Sequence, residues 1–208
     1  MQHAFSVGRG RGKTLRVTGG ELRGRRLRAP KGDATRPTSD RVRESLFAWL
    51  PGLAGASVLD LYAGTGALGI EALSRGARSA VFVERARPAL AVLAANLAEL
   101  ALAEATRVLR TDVQAALGRL TREGARYDAI FMDPPYGAPD SLEALRAIGR
   151  SALLAPQGML VFETSRRHPP GDVEGLARAG ERSYGDTRVV CYVTASPNAS
   201  DAEEERPE

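Results

Sequence analysis

The stretch Val58-Leu-Asp-Leu-Tyr-Ala-Gly-Thr-Gly-Ala-Leu-Gly69 constrains this chain more than any other. Val58, Leu59 and Leu61 form the short apolar run of a buried strand. Gly64, Gly66 and Gly69 then permit a tight turn, and residues 67–74 read as the helix that follows. Glycine carries no Cβ, so backbone there can approach a ligand closely. Strand, glycine turn and helix together build a nucleotide-type site at the carboxyl edge of a parallel sheet. The same pattern also serves packing glycines with no ligand, so the rest of the chain must decide.

Downstream residues repeat the theme. Ser79-Ala-Val-Phe-Val-Glu84 is a second buried strand ending in a carboxylate, and Glu84 lies 18 residues beyond Gly66. Dinucleotide folds place an acid about 20 residues on, at the tip of the second strand, to accept ribose hydroxyls. Arg87-Pro88 opens a helix running to about residue 100, with proline suited to its first turn. Residues 106–110 form a third strand. Asp112 follows it and either caps a helix over 113–120 or faces a ligand.

The second decisive stretch is Tyr127-Asp-Ala-Ile-Phe-Met-Asp-Pro-Pro-Tyr136. A strand over 129–132 delivers Asp133, Pro134, Pro135 and Tyr136 to the same sheet edge. Two prolines lock the backbone and remove two N–H donors. What remains is a cluster of acceptors beside an aromatic ring, suited to an amino group on a flat base. The chain then predicts a helix over 141–154, a strand over 159–163, and a closing antiparallel pair from Tyr184 and residues 189–193.

Composition narrows the chemistry. His3 and His168 are the only histidines and Cys191 the only cysteine, so metal clusters, disulfides and His-based nucleophilic machinery are poorly supported. No metal is expected. No apolar run reaches the ~18 residues of a membrane helix, and the start has no signal-peptide core. A cytoplasmic protein without membrane attachment is expected, with monomer as the default state. Charge is unevenly placed: residues 1–43 hold 12 Lys/Arg against 3 Asp/Glu, while the whole chain is only +4. All but Lys13 and Lys31 of the basic residues are arginine, whose planar fork suits phosphates. Such separation points to a polyanion partner. The run Gly8-Arg-Gly-Arg-Gly-Lys-Thr14 has the wrong spacing for a phosphate loop and reads as a basic tail.

Residues 15–30 read as a β-ribbon turning at Gly19-Gly20, with arginines on its strands. Ser39 or Asp40 then caps a helix whose Val42, Leu46, Trp49 and Leu50 share one face, ended by Pro51-Gly52. Four segments result: a basic flexible tail at 1–14, a ribbon-and-helix extension at 15–52 suited to a polyanion, the main domain at 53–195, and an acidic disordered tail at 196–208.

With these motifs in place, the chain resembles class I S-adenosylmethionine-dependent methyltransferases, and more closely the RsmD family of guanine-N2 methyltransferases of 16S ribosomal RNA. The likeness spans about 15–193 and is carried by residues 16–20, Arg36-Pro-Thr38, Arg41-Val-Arg-Glu-Ser-Leu-Phe47, Asp60-Leu-Tyr-Ala-Gly-Thr-Gly66, Glu84 and Asp133-Pro-Pro-Tyr136. The resemblance implies a Rossmann-like α/β fold with seven mostly parallel strands in order 3-2-1-4-5-7-6. It implies that Asp60, Tyr62, Gly64 and Gly66 cradle the methionine part of the cofactor. Glu84, with Arg85 beside it, would hold the ribose, and Asp112 and Val113 the adenine. Asp133, Pro134, Pro135 and Tyr136 would hold the target base. Arg16, Arg23, Arg25, Arg26, Arg36, Arg41 and Arg43 would hold phosphates of the RNA, within a partly assembled small subunit. DNA amino-methyltransferases of adenine N6 or cytosine N4 share the Asp-Pro-Pro-Tyr chemistry. A non-catalytic RNA-binding assembly factor on the same fold is the other alternative.

Overall fold

Apolar runs bounded by glycine, proline and charge dictate the architecture. The structure, a computed structural model, describes residues 15–29, 40–135, 138, 140–167 and 169–195. The expected tails, Arg36 and Tyr136 lie outside these residues. Helix α1 (Asp40–Trp49) precedes β1 (Ser57–Leu61), α2 (Ala67–Ser74), β2 (Ser79–Glu84), α3 (Arg87–Glu99), β3 (Thr106–Arg110) and α4 (Val113–Arg122). Then come β4 (Tyr127–Met132), α5 (Ser141–Gly149), β5 (Leu154–Ser165), β6 (Leu176–Tyr184) and β7 (Thr187–Thr194).

The seven strands form one sheet in the order β3-β2-β1-β4-β5-β7-β6, as expected. The first five are parallel, while β7 runs antiparallel between β5 and β6. Val58, Leu59 and Leu61 are fully buried because helices cover both faces. Each such side chain contributes about 1.5–3 kcal/mol. Alternate strand residues feed two cores. Val58, Phe82, Phe131 and Val189 pack beneath the face carrying α1, α2 and α3. Leu59, Val83, Ile130 and Val190 pack beneath α4 and α5. The chain leaves β1 for β2 on one side and returns as β4 on the other. Ligands bind at such a switch point, outside the carboxyl ends of the strands.

Two expectations need correction. Residues 141–154 do not form one helix: α5 ends at Gly149, and Leu154 already pairs with Tyr127 in the sheet. A Cβ at Gly149 would sit 2.2 Å from the Glu174 carbonyl oxygen, so close packing fixes that position. The expected ribbon over 15–30 is reduced to one antiparallel bridge, Arg16 with Arg26. It is flanked by Val17 N–H donating to the Arg25 carbonyl at 3.0 Å and Leu27 N–H to the Leu15 carbonyl at 2.8 Å. The chain bends at Gly19-Gly20, and the turn itself follows at residues 21–24. Leu15, Val17 and Leu27 insert into the core beside α1 and α2.

Candidate functional site

At the carboxyl ends of β1, β2 and β4 the backbone opens a cleft of about 620 Å³, within the range of small-molecule sites. Asp60, Tyr62, Gly64, Glu84, Arg85, Asp112, Val113, Asp133, Pro134 and Pro135 all line it. Residues separated by more than seventy positions therefore meet, because Leu61 pairs with Met132 and places the next residues of both strands at one level.

The glycine turn takes its shape from left-handed backbone that glycine adopts freely. Gly66 has φ +80°, and a Cβ there would lie 2.5 Å from Leu93 Cδ1. Gly66 does not line the cleft; it bends the chain so that Gly64 and Thr65 can. Tyr62 carries φ +59° without being glycine, a conformation that costs about 1–3 kcal/mol and gathers at ligand sites. Its hydroxyl is buried and makes no hydrogen bond among the described residues. Burial raises its pKa, so it remains a donor.

Glu84 is held by three backbone donors. Gly64 N–H donates to Oε2 at 2.9 Å, while Arg85 and Ala86 N–H groups donate to Oε1 at 2.8 and 2.7 Å. The carboxylate is thereby fixed against the start of α3 and tied to the glycine turn. Asp112 caps α4, its Oδ1 accepting from Ala115 N–H at 2.9 Å. It lines the cleft as well, so capping and facing a ligand coexist in one residue. Asp60 is 1% exposed, and its Oδ2 accepts the Gly69 N–H at 2.9 Å. Burial pushes its carboxyl up to about 7; the Gly69 bond opposes that rise, and the nearby Asp133 and Glu84 charges add to it.

This donor set fits S-adenosylmethionine. A fixed carboxylate suits the ribose, and a carboxylate-lined floor suits a sulfonium and an ammonium. Tyr62 lines the same cleft, and its buried hydroxyl is a donor with no hydrogen-bond partner among the described residues. No group of three or more His, Cys, Asp or Glu side chains that could hold a metal occurs among the described residues.

The arginines divide. Arg16, Arg23, Arg25, Arg26 and Arg41 are exposed. Arg43 corrects the expectation of a phosphate contact, because its side chain is 0% exposed. Its Nε lies 3.3 Å from Glu71 Oε2, and its Nη2 lies 3.0 Å from Asp40 Oδ1 and donates to the Arg16 carbonyl. Glu71 is equally buried. It also accepts from Thr18 N–H at 2.8 Å, Thr18 Oγ1 at 2.7 Å and Arg75 Nε at 2.9 Å. Asn96, 1% exposed, is a second tie. Its Oδ1 accepts from Arg28 N–H at 2.7 Å, and its Nδ2 donates to the Arg28 and Thr65 carbonyls at 3.2 and 2.9 Å.

Sequence reasoning also missed Asp140 and Glu163, which line the target side of the cleft. Glu163 had a readable signal, an acid closing an apolar strand, as at Glu84.

The family model described as Conserved hypothetical protein 95 matches residues 15–193. Ribosomal RNA small subunit methyltransferase D of Escherichia coli K12 is 38% identical over 151 residues, covering 72% of this chain and 74% of that protein. The chain belongs to the RsmD family. YlbH of Bacillus subtilis, a further relative of this RsmD chain, is 38% identical over 180 residues, covering 86% of this chain and 98% of its own. The solved structure of yhhF from Escherichia coli superposes with a TM-score of 0.75 at 34% identity, covering 87% of this chain and 98% of that one. The family assignment and the Rossmann-like methyltransferase fold thus rest on sequence and coordinates together.

Proposed function

We propose that this RsmD chain moves the methyl group of S-adenosylmethionine onto the exocyclic N2 amine of a guanine in 16S ribosomal RNA. One observation carries the reading: Asp133-Pro134-Pro135 shares a cleft with the Gly64 turn and Glu84. An amine conjugated with its ring is a poor nucleophile. The Asp133 carboxylate and the Pro134 carbonyl accept its two hydrogens and turn its lone pair out of conjugation. Tyr136, next in sequence, supplies a ring for stacking, worth about 1–3 kcal/mol per base.

The cofactor, when bound, supplies a methyl group made electrophilic by a positive sulfur. Asp60, Tyr62 and Gly64 hold its amino-acid part, Glu84 and Arg85 its ribose side, and Asp112 and Val113 its adenine. Positioning supplies most of the acceleration. Asp133 need not take a proton before transfer, since the amine becomes acidic only once methylated. A base reaches such a pocket only when splayed from its stack, which favours an unpaired RNA loop. The exposed Arg16, Arg23, Arg25, Arg26 and Arg41 hold phosphates. The Escherichia coli relative is named for the ribosomal RNA of the small subunit, which supports that RNA as the substrate, and we take a partly assembled subunit as its form. Among the described residues, no helix is long and apolar enough to cross a membrane.

The test is methylation of 16S ribosomal RNA, naked and in partly assembled subunits, beside DNA, with the product nucleoside identified by mass. N2-methylguanosine is expected. Asp133→Ala should bind the cofactor nearly as tightly and lose transfer by at least about a hundredfold, on the scale of losing one aligned transition-state contact. A methylated DNA base, or near-normal turnover by that variant, overturns the reading.

A further inference from the structure

We propose that Arg166 and Arg167, at the end of β5, form a second phosphate-binding surface that grips the RNA strand on the far side of the target base. The inference rests on the RNA substrate proposed above. It begins with a charge problem. Six carboxylates line the cleft (Asp60, Glu84, Asp112, Asp133, Asp140 and Glu163) against two arginines, one of them the ion-paired Arg43. A polyanion is repelled from such a mouth unless positive groups hold its backbone at the edges.

Two of the amino-terminal arginines lie well away from the target side. Arg25 Nη2 donates to the Glu99 carbonyl at 3.0 Å, and Arg28 Nε pairs with Glu99 at 3.1 Å. Glu99 is the last residue of α3, whose first turn lies beside Glu84. The helix runs 13 residues, or about 20 Å at 1.5 Å per residue, so these two arginines sit at its end remote from the cleft. Helix α3 leads from β2 to β3, so both lie on the cofactor side of the switch point.

The opposite edge has its own pair. Met132 of β4 is level with Phe162 of β5, so Asp133 and Glu163 emerge side by side, both in the cleft. Arg166 follows Glu163 by three residues, about 10 Å at strand spacing. Its backbone is pinned: Arg166 N–H donates to the Asp186 carbonyl at 3.0 Å, and Arg167 N–H to Ser165 Oγ at 3.2 Å. Both side chains are exposed. Neither makes an ion pair among the described residues; Arg166 reaches only the Gly185 carbonyl, at 3.4 Å. Two exposed guanidinium groups on a fixed turn, without an ion pair among the described residues, sit just beyond the target side of the cleft. Arginine forks at that position match phosphate oxygens.

The experiment compares Arg166→Gln/Arg167→Gln with the wild type in binding to a 16S ribosomal RNA fragment, across 50 to 200 mM salt. Losing two single-strand phosphate contacts should make the log-log slope shallower by about 1.4. Over that salt range the wild type then loses roughly sevenfold more affinity than the variant, from the same slope. Cofactor affinity and kcat at saturating RNA should hold, while KM for RNA rises. Arg166→Lys/Arg167→Lys should restore the slope. The control is Arg122→Gln/Arg126→Gln, an equal charge change at exposed positions on the amino-terminal edge of β4. An unchanged slope in the first variant, or an equal change in the control, overturns the proposal. A wild type that neither binds nor methylates the RNA refutes the functional reading instead.

Discussion

Glu71→Gln removes one charge from the interior and tests what holds the amino-terminal segment in place. Glu71 accepts four bonds, two from Thr18 and one each from Arg43 and Arg75, at 2.7 to 3.3 Å. An amide offers one acceptor and turns an NH2 group toward donors. The fully buried Arg43 then loses an ion-pair partner, keeping Asp40. Breaking a buried pair from one side costs about 3–5 kcal/mol. For a chain of this size that is a fall in Tm of about 6–20 °C. Urea melts of wild type and variant measure it. Limited proteolysis within residues 15–29 should quicken in parallel, because Thr18 bonds both carboxylate oxygens and the amide keeps only one acceptor. A companion Glu71→Leu/Arg43→Met replacement should recover much of the loss, since apolar residues of similar volume can replace a buried pair at little cost. A loss below about 1 kcal/mol for Glu71→Gln, the scale of an ordinary surface pair, refutes the claim that this cluster anchors the segment.

Asp60 gives a pH test. Its carboxyl is raised from 3.8 to about 7 in the folded protein, so folding favours the protonated form. That contribution is complete below the unfolded pKa, declines between pH 4 and 7, and amounts to about 4 kcal/mol in order of magnitude. Stability of the unliganded protein should therefore fall across this window relative to Asp60→Asn; parallel profiles for the two proteins count against it. A Cβ at Gly69 would meet Phe82 Cε1 at 2.3 Å and Asp60 Oδ2 at 3.1 Å, so Gly69→Ala should lose about 1–3 kcal/mol by overpacking, read by thermal denaturation. Asn96→Leu leaves the Arg28 N–H and the Thr65 carbonyl unsatisfied. It should cost about 1–3 kcal/mol per group and raise KM for the cofactor while kcat at saturation holds, as steady-state kinetics will show.

Strands β1, β2 and β4 were readable because each is a mainly apolar run closed by a distinctive residue: Gly64 just past Tyr62, Glu84, or Asp133. The acid and the Pro-Pro pair told where each strand ends, and the ends make the cleft. The buried polar ties were not readable. Arg43 stands one position from Val42 and three from Leu46, at the margin of an apolar stripe, where an exposed arginine is the ordinary outcome. Glu71 did leave a trace: it is the only charge in Ala67-Leu-Gly-Ile-Glu-Ala-Leu-Ser74, and a helix apolar all round is a buried one. The shrunken ribbon had no local signal, since its form follows from contact with Ser74, where a Cβ on Gly20 would come within 1.7 Å of the carbonyl oxygen. Leu153 and Leu154 continue a helical period past Gly149, and only pairing with Tyr127 assigns Leu154 to the sheet.

The bond between Arg28 and Asn96 spans 68 residues. During synthesis at about 5–20 residues per second, the leading segment therefore waits roughly 3–14 s for its seat to emerge. Throughout that interval this cationic segment lacks its partners Glu71, Ser74 and Asn96 in turn, so its seating is a late event of folding on the ribosome.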